Sequence, residues 1–161
     1  LMSQIDLMAT VAAILVRPLK DDEGPDSVNQ LLVLTGTPEK PARDLLVISP
    51  NNPSHLLVRK DQWVYIPAQD EGGFDGKEVG DHRFGGGATL PFTGDVNSDF
   101  VDGKLRDDAP PAQLYDLQKD PRQTTNVYRE YPEVVAELDA CVGEHRKKID
   151  ACPPLGSCPK T

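Results

Sequence analysis

The stretch from Gln113 to Lys148 limits the possible folds more than any other part of the chain. Gln113-Leu114-Tyr115-Asp116-Leu117 reads as a short strand and Lys119-Asp120-Pro121 as a turn, and Tyr131-Pro132-Glu133 opens a helical run that lasts to Lys148. Pro132 suits a first helical turn, where an N–H would have no intrahelical partner anyway. Val134, Val135, Leu138, Cys141, Val142 and Ile149 fall on one face. Glu130, Glu133 and Glu137 lie toward the electropositive end, and Arg146-Lys147-Lys148 toward the opposite end. A helix with one apolar face, joined to a strand by a tight polar turn, must pack back on that strand.

The segments before it supply partners for the strand. Arg43 to Ile48 is an apolar run bounded by Pro41 and by Pro50-Asn51-Asn52-Pro53, which predicts a central strand at 44–49. His55 to Arg59 and Gln62 to Ile66 flank the polar pair Lys60-Asp61, which predicts a β-hairpin ended by Pro67. Nearer the start, Ser3 and Asp6 have the spacing of a helix cap, and Met8, Val11, Ala12 and Leu15 follow at helical spacing. This predicts an amphipathic helix stopped before Pro18. A chain that opens inside such a helix has no earlier element for it to lie against, so a piece of something larger is expected. Lys20 to Ser27 reads as an acidic Gly-Pro turn, and Val28 to Leu32 as a short helix closed by Gly36.

A chain of 161 residues is long enough for one domain with a core, and 15 Pro and 13 Gly at 38% hydrophobic content predict many loops. The longest is 68–112, where no period survives and glycines cluster at Gly72-Gly73 and Gly85-Gly86-Gly87. A formal charge of −9 argues against nucleic-acid binding, which needs clustered Lys and Arg. No run approaches the roughly 18 apolar residues of a membrane span. Cys141, Cys152 and Cys158 are odd in number and lack the paired histidines of a zinc site, so disulfide and free thiols both stay open.

No reaction centre is legible. There is no Gly-x-Ser-x-Gly elbow, no phosphate-cradling loop and no His-Glu-x-x-His pair. Lys20-Asp21-Asp22 sits in a turn, where adjacent carboxylates are normally solvated rather than converging on a cation. His55 begins a strand and His145 lies near a helix end, so both have structural readings. His82 stands beside Arg83 in the Gly-rich loop, where an imidazole and a guanidinium could recognise an anion.

Four segments in order resemble the sulfatases of the arylsulfatase type, in the alkaline-phosphatase-like superfamily. Leu114 to Val127 resembles the signature L-Y-D-L-x-x-D-P-x-E-x-x-N-L near their C-terminus. Ser3 to Leu15 is similar to the helix that closes their large domain, Asp26-Ser27-Val28-Asn29 to the D-G-x-S/N-L that follows it, and His55 to Ile66 to their A-L/V-R-x-G-x-W-K-Y/L-I hairpin. The resemblance implies an α+β fold: a small antiparallel sheet of about four strands packed against a long C-terminal helix, plus an N-terminal helix. It assigns 1–36 to the end of the large domain, 37–150 to the C-terminal subdomain and 151–161 to a flexible tail.

Sulfatases of this kind cleave sulfate esters with a formylglycine, made in a Cys/Ser-x-Pro/Ala-x-Arg motif, and with a bound calcium. Cys152-Pro153-Pro154 and Cys158-Pro159-Lys160 lack that Arg, so no catalytic residue carries over. The expectation is a C-terminal region, inert alone, whose calcium and formylglycine reside in a missing N-terminal catalytic domain, the partner the chain would need. The loop at 68–112 would reach toward a sulfated substrate, with His82, Arg83, Gln69 and Asp70 as the contacting set. Secretion or a periplasmic location is implied by the family, and the first helix, left exposed, could self-associate. A free-standing binding module for sulfated carbohydrate or a protein partner is the alternative.

Overall fold

A computed structural model describes residues 1–36, 38–49, 55–69, 94, 96–102 and 104–151, with side chains to Lys148. Length suggests one unit, but the chain forms two compact ones, Leu1–Leu46 and Val47–Thr161. The fold is α+β, as the sequence predicts.

In the first unit a 3-10 turn at Gln4–Asp6 leads into helix α1 (Leu7–Ile14), and α2 (Leu31–Thr35) follows the Gly-Pro turn. The Ser3 N–H donates to the Asp6 carboxylate at 2.9 Å, which is one half of the predicted cap. Gly24 sits at φ +69°, and a Cβ there would lie 2.9 Å from the Met8 sulfur. A side chain there would strain the left-handed backbone and would have to displace the Met8 side chain. Ser27 fastens it, accepting from the Ala9 N–H at 2.9 Å and donating to the Ile5 carbonyl at 2.6 Å.

The four-stranded sheet has the order β1 (Leu45–Ile48), β2 (Leu57–Lys60), β3 (Trp63–Ile66), β6 (Gln113–Asp116). The predicted central strand at 44–49 is thus an edge strand. Its apolar run suggested burial on both faces, but its residues are only half-buried and Ile48 is exposed. Strands β2 and β3 pair antiparallel with Val58 opposite Tyr65 and Lys60 opposite Trp63. The turn is consequently Asp61-Gln62, one residue later than expected, with Asp61 at φ +49°, a left-handed conformation that Asp tolerates better than most residues. Strands β3 and β6 are also antiparallel, with Tyr65 opposite Leu114.

Register sorts the side chains. Lys60, Val58, Trp63, Tyr65 and Leu114 share the face that meets helix α3 (Pro132–Ala151). Leu138 and Val142 of the helix are buried against it, and the Tyr65 hydroxyl donates to Asp139 at 3.0 Å. Lys60 pairs with Glu137. Tyr131, just before the helix, stacks obliquely on Trp63 with ring centroids 4.8 Å apart. The region 68–112 is not wholly irregular: it contains a two-stranded hairpin, β4 (Phe100–Val101) and β5 (Lys104–Leu105). Phe100, which is buried, supplies the apolar anchor that a two-residue strand needs.

Candidate functional site

The described ends of the Gly-rich connection converge on the sheet. Gln69 donates its side-chain N–H2 to the carbonyls of Ala109 and Pro110 at 3.1 and 3.0 Å, and its own carbonyl lies 2.8 Å from His55 Nε2. Gln113 donates to the Ala68 carbonyl at 2.9 Å while its Oε1 accepts from the Tyr115 hydroxyl at 2.8 Å. Asn97 in turn donates to the Tyr115 oxygen at 2.9 Å. The chain Asn97–Tyr115–Gln113–Ala68 thus joins both roots of the connection across strand β6.

Asn126 completes this base. Its Oδ1 accepts from the N–H groups of Leu114 and Tyr128, each at 3.0 Å. Its Nδ2 donates to Asp99 at 2.7 Å and to the Ala112 carbonyl at 3.1 Å, so both ends of the amide are used. The Leu114 carbonyl accepts from the Val127 N–H at 2.9 Å, and residues 126–127 thereby occupy the free edge of β6. Asp116 and Asp120 hold the intervening turn, accepting from the N–H groups of Gln118 and Thr125 at 3.0 and 2.8 Å.

Near the start of α3, Tyr65, Tyr128, Arg129, Val135 and Asp139 line a shallow cleft. Burial, reinforced by the hydrogen bond to Asp139, pushes the Tyr65 phenol well above its ordinary value, so it stays protonated. A neutral phenol bound to a carboxylate orients groups but offers no nucleophile.

The other polar concentration is in the first unit. Asp6 is fully buried and accepts from the N–H groups of Ser3 and Val28, from Gln30 at 3.1 Å and from Arg43 through Nε at 3.1 Å and Nη2 at 2.5 Å. Burial alone would raise its pKa, but the Arg43 guanidinium and the surrounding donors override it and hold the carboxyl well below the usual range. Thr10 donates to the Asp6 carbonyl at 2.6 Å and accepts from the Gln30 N–H at 3.0 Å. This cluster ties α1 to residues 28–30 and 43. It was not legible in the sequence, where Asp6 reads as a cap and Arg43 as the edge of a strand.

Of the predicted substrate-contacting set, Gln69 stands at the loop root with its amide N–H2 donated to backbone. Asp70, His82 and Arg83 lie outside the described residues, as do Cys152 and Cys158; Cys141 is a half-buried free thiol. Among the described residues no group of three His, Cys, Asp or Glu side chains could hold a metal ion. No described helix is long and apolar enough to cross a membrane.

The architecture is a small antiparallel sheet carrying one long helix. No protein-family model matches the chain. It is 33% identical over 141 residues to an N-acetylgalactosamine-6-O-sulfatase of Bacteroides thetaiotaomicron, a match covering 86% of this chain and 22% of that protein. It is also similar to a solved sulfatase structure from a core genetic locus for the metabolism of multiple glycosaminoglycans in Bacteroides thetaiotaomicron. There the identity is 30% and the TM-score 0.57, covering 91% of this chain and 25% of that one. Sequence and fold are thus both similar to part of a sulfatase over most of this chain's length. It spans about a fifth of the length of the curated relative it matches.

Proposed function

We propose that this chain serves a sulfate-ester hydrolase as its C-terminal region and does no chemistry alone. The identity of 33% with an N-acetylgalactosamine-6-O-sulfatase over most of the chain carries the reading. Formylglycine and calcium, which would supply the nucleophile and the electrostatic activation of the ester, belong in this reading to the remainder of the enzyme. The sheet and α3 act as a rigid platform, and the network of Gln69, Gln113, Tyr115 and Asn126 fixes where the Gly-rich loop leaves and rejoins it. In this reading His82, Arg83 and Asp70 of the loop, with Gln69 at its root, contact a sulfated sugar whose class is that of the relative, a 6-sulfated N-acetylgalactosamine.

The test is sulfate release. The longer natural polypeptide should hydrolyse an aryl sulfate and a 6-sulfated N-acetylgalactosamine glycoside, whereas the 161-residue chain should hydrolyse neither. His82→Ala in the longer polypeptide should raise KM with little change in thermal midpoint. Turnover by the 161-residue chain, abolished by His82→Ala, would overturn the inert-region reading.

A further inference from the structure

The cleft between strand β3 and helix α3 carries two charged groups that the fold leaves incompletely used. Arg129 is exposed, and its Nη2 donates to the Asp108 carbonyl at 2.6 Å. The Asp108 carboxylate is meanwhile taken by Arg106, through Nε at 2.8 Å and Nη2 at 3.0 Å. The Arg129 guanidinium is thus held in place by a neutral carbonyl, and no carboxylate among the described residues pairs with it. Asp139 is used by halves: Oδ1 accepts from the Tyr65 hydroxyl at 3.0 Å, and Oδ2 has no partner among the described residues. Around these two groups the walls are apolar, formed by Tyr128 and Val135, with the buried Tyr65 beneath.

These groups prescribe a ligand. The space measures about 470 Å³, toward the small end of the roughly 300–1,000 Å³ of small-molecule sites, so it suits one or two sugar rings rather than a folded partner. A guanidinium with free N–H groups pairs with a tetrahedral oxyanion through parallel hydrogen bonds. An ionised carboxylate oxygen only accepts, so it calls for O–H or N–H donors, and it repels a second negative charge. A sulfate ester on a sugar meets both demands, because the ester carries one charge and the ring carries neutral hydroxyls. A phosphate ester, with up to two charges, meets more repulsion from Asp139. The C–H face of a pyranose fits apolar walls such as those of Tyr128 and Val135.

From this arrangement we infer that the cleft binds a sulfated sugar residue, with Arg129 on the sulfate, Asp139 accepting from ring hydroxyls and Tyr128 against the ring. The choice of ligand rests on the sulfatase reading above. The cleft holds the sugar and does not cleave it.

Amide NMR shifts of the 161-residue chain, titrated with the methyl glycoside of 6-sulfated N-acetylgalactosamine, test it. Saturable shifts are expected at Tyr128, Arg129 and Asp139. Arg129→Gln, which keeps a donor for the Asp108 carbonyl and loses the charge, should weaken binding about tenfold or more. Asp139→Asn should weaken binding of the sulfated sugar while leaving that of inorganic sulfate unchanged or stronger, since it removes an acceptor and a repelling charge together. Shifts confined to other residues, undiminished binding by Arg129→Gln, or equal affinity for the unsulfated sugar overturns the inference. Inorganic sulfate or serine bound as tightly as the sulfated sugar overturns it by assigning the cleft to a bare anion or to an amino acid. The titration of the unsubstituted chain decides by itself if a variant does not fold. Sulfate release by the longer natural polypeptide is measured alongside. Hydrolysis with no shifts in the cleft overturns the cleft and leaves the sulfatase reading intact; shifts without hydrolysis support the cleft and count against that reading.

Discussion

In Val47–Thr161 the apolar side chains point inward: Val58, Leu114, Tyr115, Leu138 and Val142 are almost wholly inaccessible and Tyr65 closes the sheet against α3. In Leu1–Leu46 the inaccessible side chains are Asp6, Thr10 and Gln30, and the aliphatic ones point out. One unit is held by burial of apolar surface, which is non-directional and tolerant. The other is held by a few charge-assisted hydrogen bonds, which are directional and fail when one partner goes. The same helical apolar spacing thus marks an inner face in α3 and an outer face in α1.

The comparison is broken most directly by removing one polar partner. Arg43→Ala strands the Asp6 carboxylate without its cation and should cost the first unit about 3–5 kcal/mol, seen as rapid proteolysis within residues 1–46 while the sheet stays intact. The counterpart, Leu138→Ala, opens a cavity in the second unit and should cost about 2–5 kcal/mol there, read as a lower denaturation midpoint. Asn126→Ala removes the acceptor for Leu114 and Tyr128 and the donor to Asp99, and should lower the stability of the second unit by about 1–3 kcal/mol.

The units should also part with pH, in opposite directions. The folded pKa of Asp6 is depressed, so its stabilisation is present above the ordinary carboxylate value of 3.8 and is lost as pH falls below it. The folded pKa of Tyr65 is raised by burial and the bond to Asp139, so its contribution is present below the ordinary 10.0 and is lost as pH rises above that. Acid should therefore loosen residues 1–46 first and alkali the sheet, as followed by amide exchange. Tyr65→Phe should remove the alkaline dependence at a cost of about 0.5–1.5 kcal/mol at neutral pH. The smallest effect is expected at Lys60→Ala, whose ion pair with Glu137 is exposed and should leave the midpoint unchanged.

What was legible in the sequence follows the same division. The hairpin, β6 and α3 announce themselves through local periodicity and turn residues, because the forces that hold them act between near neighbours or across an apolar face. Nothing near Asn126 marks its role, because its partners at Asp99 and Ala112 lie 27 and 14 residues away and carry no period. The salt bridge between Asp6 and Arg43 spans 37 residues, and nothing in either neighbourhood marks it. The edge position of β1 was hidden for a different reason, since an apolar run reports hydrophobicity but not how many neighbours a strand has. The apolar stripe of α1 was visible as a stripe; which way it faces depends on a polar cluster that sequence spacing does not reveal.

Amide hydrogen exchange on the 161-residue chain tests most directly whether apolar burial holds the second unit and a polar cluster the first. Amides of β3 and β6 should be strongly protected, whereas those of α1 should exchange at least ~100-fold faster. Amides of α1 as well protected as those of β3 would contradict it.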